Sequence, residues 1–109
     1  MAQAPIHVGH YGGSSTSEQA IGAAVGSGHT WQVKAWVANR TGAAKTFRLR
    51  QAYAGAAAAN DQYRAYDAVV PSTDIVVLPI FTMVATDALY FTQSADGLTC
   101  IVDALDVTP

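Results

Sequence analysis

The sequence is poor in the residues that build covalent crosslinks and metal sites. Its single cysteine, Cys100, excludes a disulfide within the chain and a metal site made of several thiolates. His7 and His10 are close enough in sequence to share a metal, but a protein site usually needs three or four ligands. The remaining histidine, His29, is separated from them by a glycine-rich segment. We therefore predict no metal and no other cofactor.

Charge is also scarce, because charged residues make up only 13% of the chain, against a usual share of about a quarter. So few charges are typical either of a subunit that is partly covered by copies or partners, or of an alanine-rich composition. In the expected strand register, Lys34, Arg48 and Arg50 form a solvent-facing basic strip. Three cations in a chain of net charge −2 neutralise too few phosphates for strong binding, so we predict no direct nucleic-acid partner.

The motifs of common catalytic and membrane proteins are missing as well. No serine stands in a nucleophile elbow, and no glycine-rich segment matches a phosphate-binding loop. Asp74 and Asp87 lie in turn-like segments where aspartate caps backbone amides, although a catalytic triad is defined by geometry and stays open at this level. No apolar run reaches membrane-spanning length, and no basic and apolar leader opens the sequence. We predict a non-enzymatic protein made in a cytoplasm, without a membrane partner.

Two alternating runs are the clearest positive signal. In residues 30–38, Trp31 and Val33 share one face at the two-residue strand period, and Trp36 lies on the other. A polar turn follows, and residues 45–53 alternate again. We interpret the two runs as a half-buried antiparallel hairpin, which predicts a sandwich or barrel and not an α/β enzyme core.

Strand-sized runs and short polar turns continue through the C-terminal two-thirds of the chain. Residues 75–78 form a continuous apolar run that suits a strand covered on both faces, and Cys100 fits a small buried hydrophobe. Residues 54–61 fit either a short helix or a long connection. The pattern predicts an all-β fold, an antiparallel and jelly-roll-like β-sandwich of about seven or eight strands.

The N-terminal part of the chain differs because it is rich in glycine and serine. We interpret residues 1–28 as an extended arm with a weak first strand around residues 19–25, and residues 29–109 as the sandwich, in a single domain overall. A short helix over residues 16–24 is the alternative, because a capping-box pattern stands at its start.

Several short segments carry a resemblance to a known family. They are Tyr11-Gly12-Gly13, Val37-Ala38-Asn39-Arg40-Thr41-Gly42-Ala43-Ala44-Lys45-Thr46-Phe47-Arg48-Leu49, Ala65-Tyr66-Asp67, Val70-Pro71-Ser72-Thr73-Asp74 and Ala85-Thr86-Asp87. Their order resembles a family of small phage and prophage virion structural proteins, with head-decoration or tail-associated roles.

The resemblance implies a non-enzymatic part of a virus particle, located in the virion after assembly in the host cytoplasm. The first expectation is a head decoration or cement protein that binds the capsid surface and stabilises it through arm and sheet-edge contacts, and a tail or neck component is the alternative. Its expected partners are copies of itself, with a trimer as one arrangement, and the major capsid or tail proteins. The expected partner-binding anchors of the arm are Ile6, Val8 and Tyr11.

A carbohydrate- or surface-binding module is a second function class. Trp36 faces outward in the expected register and would join one or more of the tyrosines in an aromatic platform. Those tyrosines are Tyr53, Tyr63, Tyr66 and Tyr90. We favour Trp36 as a core or subunit-interface residue, and Arg48 and Arg50 are the further interface candidates.

Overall fold

The computed structural model describes residues 2–55 and 62–108. Nearly all regular structure in these residues is β-strand. The nine described strands are β1 (Ala2–Tyr11), β2 (Gln19–Ile21), β3 (Thr30–Asn39), β4 (Lys45–Ala52), β5 (Tyr63–Val70), β6 (Ile75–Val77), β7 (Phe81–Val84), β8 (Ala88–Gln93) and β9 (Leu98–Thr108). A 3₁₀ turn, Tyr53–Gly55, follows β4.

The strands form two antiparallel sheets. Sheet A has the order β1-β9-β3-β6, and β7 pairs with β3 on the same edge as β6; sheet B has the order β2-β8-β4-β5. Strands β1 to β4 alternate between the sheets and β9 returns beside β1, which is a jelly-roll arrangement. The predicted antiparallel, jelly-roll-like sandwich is confirmed, with nine described strands where we expected about seven or eight.

Strand alternation decides which side chains fill the core between the sheets. In β3, Val33, Ala35 and Val37 have no solvent exposure, as the two-residue period predicts. Phe47 and Phe91 of sheet B belong to the same buried cluster, and their ring centroids are 6.0 Å apart. The intervening residues of each strand are left on the two outer faces of the sandwich.

The expected hairpin between residues 30–38 and 45–53 is wrong. Strands β3 and β4 lie in different sheets, because β9 pairs with one edge of β3 while β6 and β7 pair with the other. The buried side-chain amide of Asn39 donates to the carbonyls of Ala43 and Val70 at 2.8 and 3.1 Å. These bonds hold a corner that carries the chain from sheet A to sheet B.

Residues 2–11, which we expected as an extended arm, form a strand of this chain's own sheet. Strand β1 runs antiparallel to β9 along its length. The physical reason is apolar packing, because Ile6, Val8 and Tyr11 are partly buried against the core. Binding of these three residues to a partner stays a prediction.

The helix alternative over residues 16–24 is also wrong, because β2 forms there and pairs with β8. Gly22 follows β2 with a φ of 68°, which an α-helix does not use. For residues 54–61 we expected either a short helix or a long connection. Only residues 54 and 55 of this segment belong to the described residues, so both alternatives stay predictions.

Across residues 2–55 and 62–108, no helix has the length and apolar character needed to cross a bilayer.

Candidate functional site

An apolar surface lies on the outer face of sheet A, toward its β6 edge. Because the alternate residues of β3 fill the core, Trp36 stands on the outer face, between Val77 of β6 and Ile101 of β9. Ile75, Val77 and Ile80 are 56%, 58% and 68% exposed. We call Trp36, Ile75, Val77, Ile80 and Ile101 the sheet A apolar face.

This surface corrects the expectation for residues 75–78. The apolar run predicts a strand covered on both faces, but the described chain covers only one of them. Val76 packs against the core and Leu78 is 8% exposed, whereas Ile75 and Val77 are open. Exposed apolar side chains at a sheet edge are typical of a protein-binding surface.

Polar groups border the apolar face on the β9 and β1 side. The His7 Nδ1 atom lies 2.6 Å from an Asp103 carboxylate oxygen, and His7 Nε2 lies 3.1 Å from His10 Nδ1. Lys34 Nζ lies 5.9 Å from the Trp36 ring centroid. A groove of about 300 Å³ joins the polar and apolar parts, and its lining residues are Gln32, Lys34, Ile80, Asp103, Ala104 and Leu105. No group of three or more potential ligands in the described part of the chain has a metal-binding arrangement.

The outer face of sheet B is different, because arginines stack on tyrosines there. The Arg48 guanidinium lies 4.0 Å from the Tyr66 ring centroid, and that of Arg50 lies 4.4 Å from the Tyr90 centroid. Tyr63 meets Tyr66 edge to face, with centroids 4.9 Å apart. Such contacts favour the stacked arrangement of the rings and guanidinium groups.

The alternative of an aromatic platform that joins Trp36 to the sheet B tyrosines is therefore wrong. Tyr63, Tyr66 and Tyr90 lie on strands of sheet B, where Arg48 stacks on Tyr66 and Arg50 stacks on Tyr90. Trp36 lies on sheet A, and Tyr53 stands in the 3₁₀ turn after β4. Trp36 cannot share a ligand with the sheet B tyrosines, because the core separates the two outer faces.

The predicted basic strip of Lys34, Arg48 and Arg50 is wrong. Lys34 belongs to sheet A, and Arg50 is only 5% exposed. The Arg50 guanidinium donates to both carboxylate oxygens of Glu18, at 2.7 and 3.0 Å, and to Gln62 at 2.8 Å. The hydrogen bonds to Glu18 raise the pKa of Arg50. Arg50 thus links elements of its own chain, and burial removes it as a partner-binding residue.

Arg48 remains accessible and pairs with Asp67. Its Nε atom donates to Asp67 at 2.6 Å and a terminal nitrogen donates at 3.2 Å. Hydrogen bonding to Arg48 holds the pKa of the Asp67 carboxyl below its usual value. The ion pair is exposed, so solvent screens it.

A β-bulge places this pair, and sequence periodicity missed it. In the β4–β5 register, Tyr66 and Asp67 together oppose the single residue Arg48. Both bulge residues are exposed, and Asp67 has a φ of 51°. Strict alternation places Tyr66 and Asp67 on opposite faces. The available signal was residue type, because aspartate tolerates the left-handed region better than most residues.

The thiol of Cys100 is not a candidate nucleophile. It lies in the core with no solvent exposure, which confirms the prediction of a small buried hydrophobe. Burial raises the pKa of this thiol to about 12, so it stays protonated at neutral pH.

These features define a small antiparallel jelly-roll sandwich whose two outer faces differ in chemistry. No family model and no curated protein matches the sequence. Among solved structures, the chain is similar to one from Bacillus endospore appendages, described as a family of disulfide-linked pili. The identity is 13%, the match covers 98% of this chain and 87% of the other, and the TM-score is 0.61.

A second similar structure is the nucleoplasmin-like N-terminal domain of Drosophila FKBP39. Here the identity is 15%, the match covers 95% of this chain and 93% of the other, and the TM-score is 0.49. At these identities the similarities concern the fold alone.

Proposed function

We propose that this protein is a non-enzymatic structural subunit of a phage particle, and that it decorates or cements the head by binding the capsid surface. The observation that carries the proposal is the sheet A apolar face, which the described chain leaves uncovered. Burying such side chains against another protein is favourable by about 25 cal/mol for each Å² of apolar surface.

The molecule is large enough for a stable contact of this kind. The molecule extends 44 × 27 × 20 Å. The area of its broadest face is therefore larger than the roughly 800 Å² that each partner contributes to a standard protein interface. The outer edge of β1 offers a second contact, because an edge strand has backbone groups that a neighbouring strand can pair with.

We propose the head as the location of the subunit because the sequence resembles phage decoration proteins. The tail or neck is the alternative location. Both positions require a compact part that binds its neighbours through complementary surfaces. The jelly-roll fold supports such a role in general, since it also occurs in viral capsid domains.

Assembly in this proposal is non-covalent. The similar Bacillus appendage chain belongs to pili described as disulfide-linked, whereas the single cysteine of this chain is fully buried. An intermolecular disulfide through Cys100 would require the sandwich to open. Non-covalent contacts, with apolar burial on sheet A as the main one, therefore have to supply the stability of the assembly.

Association is tested first by measuring the mass in solution by light scattering across a concentration series. The test variant is Val77→Asp on the apolar face, and the matched control is Val69→Asp on β5 of sheet B, because the two valines are 58% and 57% exposed. We expect a concentration-dependent or closed oligomer for the natural chain and for Val69→Asp, and a monomer for Val77→Asp. Equal masses for all three proteins would contradict the role of the apolar face in self-association.

The virion location requires a separate measurement. Particles from a lysate of the native host are banded on a density gradient, and their proteins are quantified by mass spectrometry. We expect this chain at many copies per particle, in the head fraction when heads and tails are separated. Its absence from banded particles would overturn the virion proposal, even if the purified chain self-associates.

A further inference from the structure

A small cleft on the outer face of sheet B surrounds the β5 bulge. It encloses about 160 Å³, and it is lined by Thr46, Phe47, Arg48, Asp67, Thr92, Gln93 and Ser94. Typical pockets for drug-sized ligands begin near 300 Å³, so this cleft has room for roughly one small ring.

One wall of the cleft is the Arg48–Asp67 ion pair. Its opposite charges compensate each other, so a charged ligand would have to displace one partner. The Asp67 side chain is 53% exposed, which leaves carboxylate lone pairs facing the cleft and solvent. A ligand hydroxyl can donate to these oxygens while Arg48 holds the carboxylate in place.

The other wall presents hydroxyl groups on a rigid backbone. The Ser94 amide donates to the Thr46 carbonyl at 2.9 Å, and the Thr46 amide donates to the Ser94 hydroxyl at 3.1 Å. Within the described residues, the side-chain hydroxyls of Thr46 and Thr92 have no hydrogen-bond partner. Both side chains are half-buried at the cleft, so their donors and acceptors are available to a ligand.

The cleft lining also includes Phe47, whose side chain belongs to the core. Phe47 gives the lining an apolar part, which suits the C–H groups of a ligand. Tyr66 does not line the cleft, but the Arg48 guanidinium stacks on its ring at 4.0 Å and Arg48 is a lining residue. The contact with Tyr66 therefore helps to hold Arg48 in place at the cleft.

We propose that this cleft binds one neutral saccharide ring. A sugar ring offers vicinal hydroxyls that suit the Asp67 carboxylate and the two threonines, and apolar C–H groups that suit the part of the lining formed by Phe47. Electroneutrality of the Arg48–Asp67 pair selects against acidic and basic ligands, and the cleft volume selects against more than one buried ring. The site is independent of the sheet A apolar face, because it lies on the opposite side of the sandwich.

Binding is tested by saturation-transfer NMR with glucose, galactose, mannose and N-acetylglucosamine. Glucuronate and glucosamine serve as the acidic and basic comparisons. Amide chemical-shift changes then locate the bound sugar on the full chain. The variants are Asp67→Asn and Thr92→Val, and Tyr53→Ala is the control because Tyr53 is exposed and does not line the cleft. Amide spectra establish that each variant is folded.

We expect at least one neutral sugar to bind, with shifts at Thr46, Thr92 and Ser94. Each cleft variant should weaken binding about tenfold, the effect of one lost charge-assisted hydrogen bond or comparable contact, and Tyr53→Ala should not. The proposal is overturned if no neutral sugar binds, if only the charged sugars bind, or if binding persists unchanged in the folded cleft variants. None of these outcomes bears on the mass measurements that test assembly.

Discussion

Replacing Gly22 by alanine tests two reasons why glycine is required where β1 passes close to the end of β2. Gly22 has a φ of 68°, where an added Cβ costs about 1–2 kcal/mol. An added Cβ would also collide with the Val8 carbonyl oxygen of β1 and lie 3.0 Å from its carbon. The backbone of β1 would have to move, and overpacking of this kind costs about 1–3 kcal/mol. We therefore expect Gly22→Ala to lower the free energy of unfolding by about 2–5 kcal/mol.

Two other glycines provide the controls. Gly28 has a φ of 80° with nothing within 4 Å of an added Cβ, so Gly28→Ala should show only the backbone strain of about 1–2 kcal/mol. At Gly42 an added Cβ also meets nothing within 4 Å, and the φ is not positive. Gly42→Ala should therefore be neutral or stabilise the fold by up to about 1 kcal/mol.

Urea denaturation of the three variants, followed by far-ultraviolet circular dichroism, gives the free energies of unfolding. The expected order of loss is Gly22, then Gly28, then Gly42. Equal losses for Gly22→Ala and Gly28→Ala would refute the close approach of β1 to β2, because backbone strain alone would then explain both. No loss for Gly22→Ala would refute the strand position itself.

Three further predictions follow from burial and charge. Trp31 packs against the core and Trp36 does not. In urea denaturation, Trp31→Ala should therefore lower the free energy of unfolding by about 3 kcal/mol and Trp36→Ala by about 1 kcal/mol. Equal losses would contradict the strand register. The thiol of Cys100 should react with a disulfide reagent only as the protein unfolds, and rapid labelling of the native chain would contradict its burial. Arg48 lowers the pKa of Asp67 in the folded protein. The Arg48–Asp67 pair therefore stabilises the fold at pH values above the unfolded-state pKa of Asp67, which is about 4. This stabilisation is lost as pH falls through the lower folded-state pKa. Asp67→Asn should remove that part of the acid dependence of stability, and an unchanged pH profile would argue against the pair.

Local periodicity in the sequence was sufficient to predict the fold class, and to predict which face of an individual strand points into the core. The period of two in β3 correctly places Val33, Ala35 and Val37 in the core, because each residue's side depends only on its neighbours in the same strand. Pairing depends on distant residues, and for this reason the hairpin prediction failed. Nothing in residues 30–53 reveals that residues 98–106 will occupy the edge of β3.

The candidate sites depended even more on non-local structure. Arg50 looks like a surface cation in the strand pattern, but Glu18, in a distant part of the chain, covers its guanidinium. The Tyr66–Asp67 bulge breaks the alternation by one residue, and its cleft needs side chains from β4, β5 and β8. Such sites follow from topology, which a single pass along the sequence does not supply.

The position of β9 has a consequence for how quickly the protein can fold. It lies between β1 and β3, so Thr108 must find Ala2 and Asp103 must find Lys34 before sheet A is continuous. Contacts between residues so far apart in sequence place the chain among slow, high-contact-order folders, with expected times of milliseconds to seconds. On the ribosome, β1, β3 and β6 emerge before the strand that joins β1 to β3. Sheet A therefore cannot be completed until β9 has emerged, and its apolar side chains remain partly uncovered until then.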